Sequence, residues 1–262
     1  MNPRFQRLAL ITGAETIELL AQTTVAIVGL GGVGSWCAEA LVRSGLANLV
    51  LIDSDTVCIT NINRQVQATG LTIGQPKVLA LEQRLLAINP DCTVKTFEAV
   101  FKAENAGLFC LEKADYIIDA IDSIQYKLDL IETAFSVGST VFSSMGTAQK
   151  LDPTRLKVAD IWQTSVCPLA RLVRSGLRAR GFHHSFPVVY SEERLPLHAE
   201  QSLACGLGQC LCPARRSPDA VDWCSAKKII NGSAVTVTAS AGMILASLVM
   251  RDLAAKALPS AL

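Results

Sequence analysis

The sequence predicts an α/β protein: a Rossmann-like, doubly wound, mostly parallel sheet with an elaborated C-terminal half. Three observations carry that expectation. Short runs of branched apolar residues alternate with helix-period segments as far as about residue 150. A glycine cluster, Gly29-Leu30-Gly31-Gly32-Val33-Gly34, directly follows the first of these runs. An acid, Asp53, closes the second.

Residues 24–28, TVAIV, read as a buried parallel strand, because β-branched residues fill it and glycines bound it. The glycines let the backbone turn tightly and approach a phosphate. Residues 35–43 have helical character, so the loop ends at a helix N-terminus with its free N–H groups and positive dipole end. Residues 49–52, LVLI, form the next strand, and Asp53 at its end is placed to accept hydrogen bonds from ribose hydroxyls. Residues 77–88 are helical and stop at Asn89-Pro90. Strands are expected over 92–97, 114–120 and 141–144, the second leading to Asp122 and Ser123.

Half of the 262 residues are hydrophobic and 18% are charged, which suits a well-buried core and argues against disorder. The net charge is +1, so any RNA must be met by a local basic patch rather than a global field. The first twenty residues are broken by charges and a glycine, unlike a secretion signal. With nine cysteines, this points to a reducing, cytoplasmic setting. The apolar stretch 232–250 approaches the length of a membrane span, but its serines and threonines suit a strand turning into a packed helix. The chain reads as a single domain over 1–262. Residues 1–150 form the nucleotide-binding half, and 151–262 a substrate and dimer half with an irregular Cys-containing excursion at about 194–224.

A polar constellation follows Asp53: Asp55, then Asn61-Ile62-Asn63-Arg64-Gln65, then Gly74-Gln75-Pro76-Lys77. With the GxGGxG loop, D-x-D-x-V, N-x-x-R-Q, G-x-x-K and D-x-x-D in this order, the segment resembles the ubiquitin-activating-enzyme superfamily of adenylating enzymes. The resemblance implies ATP and magnesium as cofactors. Gly29, Gly31, Gly32, Gly34, Asp53, Asp55, Asn61 and Ser123 would then belong to the nucleotide site. By the same resemblance, Arg64 and Lys77 supply fixed cations and Asp122 binds magnesium. A carboxylate attacking an α-phosphate builds charge on phosphoryl oxygens, so such cations suit the chemistry. The stretch Arg4-Phe5-Gln6-Arg7 resembles the R-aromatic-x-R pattern whose second arginine reaches into the neighbouring subunit. This makes Arg7 an intersubunit finger in an expected homodimer.

Three later stretches resemble the tRNA threonylcarbamoyladenosine dehydratase branch of the superfamily: TSVCPLAR with the run to Gly181, VVYSEE, and IINGSAV with AGMI. That resemblance implies tRNA carrying threonylcarbamoyladenosine as substrate, no DNA, and leaves room for a sulfur-relay protein partner. The carboxylate would be adenylated, and the activated carbonyl attacked within the same side chain, so no cysteine nucleophile is required. Arg171, Arg174, Arg178 and Arg180 share a predicted helix, with His183 and His184 beyond it; they form either a phosphate-contacting stripe or an ordinary solvated face. Cys205, Cys210, Cys212 and Cys224 supply enough thiolates for a zinc ion at a non-standard spacing, or are free loop thiols. Cys37 and Cys58 read as core or supporting residues, whereas Cys167 before Pro168 has the alternative role of a nucleophile. The competing functions are activation of a ubiquitin-like sulfur carrier, an NAD-dependent oxidoreductase and a nucleotide-bound scaffold.

Overall fold

The computed structural model describes residues 2–194 and 231–257. Its centre is a sheet of β1 (Thr24–Val28), β2 (Asn48–Ile52), β3 (Thr93–Phe97), β4 (Tyr116–Asp119), β5 (Thr140–Ser144), β6 (Leu156–Asp160) and β7 (Pro187–Ser191). The spatial order is β3-β2-β1-β4-β5-β7-β6. All pairs are parallel except β6 with β7. The helices are α1 (Gln6–Thr12), α2 (Ala14–Gln22), α3 (Gly34–Arg43), α4 (Lys77–Ile88), α5 (Ile124–Ser136), α6 (Pro168–Ala179) and α7 (Val235–Ala257).

Strands buried on both faces explain why the sequence shows apolar runs instead of alternation. On one face Val25, Ile27, Leu49, Leu51 and Ile118 pack with Leu41, Leu81, Leu245 and Val249 from α3, α4 and α7. On the other, Ala26, Val28, Val50, Ile52 and Ile117 meet Leu130, Ile131 and Val173 from α5 and α6. After β1 the chain winds outward to β2 and β3, then returns to place β4 on the other side of β1. The topological switch point therefore lies between the carboxyl ends of β1 and β4, where ligands bind in open α/β sheets.

One sequence expectation changes here. Residues from Val235 onward are helical, so 232–250 is not a strand leading into a helix; α7 is a continuous rod. It is long and apolar enough to cross a membrane, yet Val237, Ala241, Leu245, Ala246, Val249 and Leu253 form a buried face against the core. Gly242 lets it approach α3 closely: a Cβ there would fall 2.4 Å from the Val33 carbonyl oxygen. The antiparallel β6 and the N-terminal helices α1 and α2 extend the expected core. The Cys205, Cys210, Cys212 and Cys224 cluster, with either fate of its thiols, lies outside the described residues, as does most of the 194–224 excursion.

A buried carboxylate ties α3 to α4. Glu39 accepts from Arg84 Nε at 2.5 Å and from Arg43 Nε at 2.8 Å. Burial alone would raise its pKa, but the two guanidinium groups outweigh burial and hold it below the usual glutamate value. A depressed folded pKa contributes stability above the unfolded value of about 4.3, lost as pH falls through the folded pKa. Glu39→Gln should therefore lower stability at neutral pH and flatten its fall below about pH 4. Denaturant melts across pH 2–7 check this, and parallel curves for both proteins would contradict it.

Candidate functional site

The glycine loop is fixed by two contacts that no side chain would permit. Gly29 has φ +92°, and a Cβ there would sit 2.6 Å from the Ala120 carbonyl oxygen in the loop leaving β4. A Cβ on Gly34, the first residue of α3, would fall 1.9 Å from the Gly29 carbonyl oxygen. Gly32 faces Thr238 of α7, whereas a Cβ on Gly31 would meet open space. That open side adjoins the N-terminus of α3, whose backbone N–H groups are suited to an anion.

Asp53, at the end of β2, braces this loop. Its Oδ2 accepts from Leu30 N at 2.6 Å, and its Oδ1 from Asp55 N at 2.8 Å. A carboxylate has further lone pairs, so the ribose role assigned from sequence is compatible with this bracing. Lys77 opens α4 and donates from Nζ to Asp55 Oδ2 at 2.6 Å, with Asp53 Oδ1 at 3.9 Å. Burial pushes the Lys77 pKa down, but Asp53 and Asp55 outweigh it and hold it above the ordinary lysine value. Burial lifts the Asp53 carboxyl above the usual range despite the neighbouring ammonium. Lys77 is thus a fixed cation, separated from the glycine loop by a single carboxylate.

The turn carrying Arg64 docks on the same loop. Trp36 Nε1 donates to the Arg64 carbonyl at 3.0 Å, Val66 N to Ser35 Oγ at 3.3 Å, and Gln67 Nε2 to the Leu30 carbonyl at 2.9 Å. Asn63 Nδ2 donates to the Ser233 carbonyl at 2.8 Å, tying the turn to the start of α7. Arg64 Nη1 donates to the Thr60 carbonyl and to Asn63 Oδ1. Burial lowers the Arg64 pKa, while Cys58 and Asp122 act in the opposite direction. Asn61 is buried, and its Oδ1 accepts from Cys58 N at 3.0 Å, so only its amide end has donors for a phosphate oxygen.

Asp122 follows β4, immediately before Ser123, the N-cap of α5. It lies close enough to both Arg64 and Lys77 to influence their titration. Arg64, Lys77 and Asp122 thus all stand at the carboxyl end of the sheet, on segments that follow β2 and β4 around the glycine loop. Asp119, the first acid of D-x-x-D, points elsewhere: its Oδ2 pairs with Lys127 at 2.7 Å. Of the two acids of D-x-x-D, Asp122 is the one carried on the loop after β4, and magnesium, which keeps waters and phosphate oxygens as its other ligands, needs only one or two carboxylates.

The expected arginine stripe is only partly present. Arg180 is the C-cap of α6 and bridges Asp129 and Glu132 of α5 at 2.8 and 2.6 Å, so its charge is neutralised within the fold. Arg174 donates to Thr164 Oγ1. Arg171 and Arg178 are exposed on the same helix face, two turns apart, and Arg178 lies over the Trp162 ring at 5.2 Å. Spacing alone did not reveal the acids on α5. Cys37 and Cys58 are buried, as expected. Cys167 is also buried, at the N-cap of α6, with its Sγ against Gly146.

Arg7 stands apart from these residues. Phe5 packs on Gly45 and Arg4 pairs with Asp91 at 3.0 Å, which puts the start of α1 at the amino end of the sheet, opposite the glycine loop. Arg7 is exposed there, and Leu10 and Ile11 are each 83% exposed. Sequence reasoning missed Trp36, Gln67 and Lys127; nothing local marks Lys127, because its partner Asp119 ends β4 and a loop separates the two.

Known proteins fit this geometry. The ThiF family profile matches residues 4–260. The tRNA threonylcarbamoyladenosine dehydratase of Bacillus subtilis is 43% identical over 193 residues, 74% of this chain and 76% of that protein. Crystal structures of the Escherichia coli enzyme TcdA with AMP and with ATP superpose with TM-scores of 0.82 and 0.81 at 30% identity, covering 98% of this chain and 96% of TcdA. Escherichia coli molybdopterin-synthase adenylyltransferase is 35% identical over 120 residues, only 45% of this chain and 47% of that protein.

The Trp36 contact has a measurable consequence. Trp36→Phe keeps an aromatic ring but removes the indole donor to the Arg64 carbonyl, and should raise the KM for nucleotide several-fold with a cost of at least about 1 kcal/mol in stability. Steady-state kinetics and a denaturant melt check both effects; an unchanged KM would show that the turn is held without this bond.

Proposed function

The chain belongs to the ThiF family, and from that premise we propose that it is an ATP-dependent tRNA threonylcarbamoyladenosine dehydratase. The observation that carries the reading is the placement of Arg64, Lys77 and Asp122 at the carboxyl end of the sheet, on the segments that surround the glycine loop. The dehydratase relatives extend over the substrate half, whereas the molybdopterin-synthase adenylyltransferase match covers less than half the chain. This favours a tRNA-borne carboxylate over the C-terminal glycine of a sulfur carrier.

The reaction is a net loss of water. A carboxylate oxygen of the threonyl group bonds to the α-phosphorus of ATP, and the bond to the β-phosphate oxygen breaks, releasing pyrophosphate. A nucleophilic atom of the same side chain then attacks the activated carbonyl. The ring closes, a proton leaves, and the C–O bond breaks with AMP as leaving group. Proximity within one side chain makes the second step effectively unimolecular. Lys77 and Arg64 stabilise charge developing on the phosphoryl and pyrophosphate oxygens, because both are held before reaction, Lys77 by Asp55 in a buried setting and Arg64 by the Thr60 carbonyl and Asn63. Asp122 would hold magnesium, whose part is to neutralise phosphate charge.

Incubation with ATP, magnesium and tRNA bearing the modified base should yield AMP and a nucleoside lighter by one water. Lys77→Ala should reduce kcat by roughly 100-fold or more. AMP formation that requires a small ubiquitin-like protein in place of tRNA would overturn the reading.

The homodimer belongs to this proposal. Arg7 begins at the far end of its own sheet, next to exposed Leu10 and Ile11 on α1, a placement that suits action on a neighbouring subunit. A cytoplasmic location follows from the substrate. Contact with tRNA is assigned to Arg171 and Arg178 instead of all four arginines. Reversing both to Glu should weaken tRNA binding and reduce the salt-dependence slope by about two. An unchanged slope in a filter-binding salt series would remove this helix from the interface.

A further inference from the structure

Beneath the loop that carries Asp122 lies an ion pair with no exposure on either side. Lys127, near the start of α5, and Asp119, the last residue of β4, both have side-chain exposure of 0%. Lys127 Nζ donates to Asp119 Oδ2 at 2.7 Å and to the Ser144 carbonyl at 3.0 Å, with Ser143 Oγ at 3.4 Å. An ammonium has three donors, so all of them have partners here. Asp119 Oδ2 also accepts from Ser143 Oγ at 2.5 Å, and its Oδ1 accepts from Ile121 N at 3.1 Å. The pair thus joins β4, β5 and α5, and closes the turn that begins the 120–123 loop.

That loop has two functional ends. Its first residue, Ala120, presents the carbonyl against which Gly29 is packed, and two residues later comes Asp122. A buried ion pair is weak evidence for stability, since well-packed neutral replacements are often equally stable. Its placement under this loop suits positioning instead. We infer that Lys127 and Asp119 are positioning residues: the pair sets the turn that aims Asp122 at the metal–nucleotide site, and Lys127 keeps Asp119 from competing as a second metal ligand. The inference rests on Asp122 being the metal-binding carboxylate.

The test is the double variant Asp119→Asn/Lys127→Met, which removes both charges without stranding either. Calorimetric titration with a non-hydrolysable ATP analogue, with and without magnesium and without tRNA, reads the site directly. The inference expects a cooperative melt, a fall of tenfold or more in magnesium-dependent affinity, and metal-free affinity within about twofold of wild type. With tRNA present, kcat should fall far more than the KM for tRNA. A folded double variant with wild-type magnesium dependence overturns the inference alone. A wild-type protein that binds no nucleotide overturns the functional reading and this inference with it. If the double variant does not fold, Ser143→Ala removes one bond to Asp119 without disturbing charge. It should shift magnesium dependence two- to fivefold in the same direction, and wild-type dependence in a folded Ser143→Ala protein overturns the inference.

Discussion

The structure depends on one backbone contact: Gly29, with φ +92°, packed against the Ala120 carbonyl. It joins the loop leaving β1 to the loop leaving β4 at the point where the sheet reverses its winding. The glycine loop and the proposed metal-binding acid hang from these two loops. Gly31 and the N-terminus of α3 follow the first; Asp122 and α5 follow the second. Any larger residue at position 29 would push the carbonyl away and open the crevice. The requirement is steric, and it precedes any electrostatic contribution.

Cations are then brought to this frame by polar ties instead of apolar packing. Asp53 is the hinge of the arrangement, since one oxygen holds Leu30 N and the other side of its carboxylate faces Lys77. Trp36, Ser35 and Gln67 hold the Arg64 turn in the same way. Charges held in place before reaction lose little on reorganisation when phosphate charge develops, which is the physical content of a preorganised site. The close approach of α7 through Gly242 completes the frame by backing α3.

Much of this was legible because the informative residues are neighbours in sequence. Strand, glycine loop, helix and terminal acid form one βαβ unit, and Lys77 was found at the first position of α4 because helical periodicity starts there and it closes the G-x-x-K element. Other features depended on distant partners. Arg180 looked like a member of a helix-face stripe, but Asp129 and Glu132 lie on a different helix and claim it. Residues 232–250 mixed β-branched and small residues, and packing against α3 goes with a helix from Val235 onward. Lys127 was invisible for a further reason: lysines are rarely buried, so sequence reading assigns them to solvent. The direction of β6 likewise depends on the connection into β7 and not on local composition.

The central claim is that ATP activates a tRNA-borne carboxylate by adenylation, and isotope transfer tests it most directly. The substrate would be tRNA whose threonylcarbamoyl carboxylate carries oxygen-18, reacted to completion with unlabelled ATP. Adenylation followed by ring closure leaves one carboxylate oxygen on the phosphorus, so the account predicts labelled AMP and unlabelled pyrophosphate. Label appearing in inorganic phosphate with ADP as co-product, or unlabelled AMP beside a dehydrated base, would contradict it.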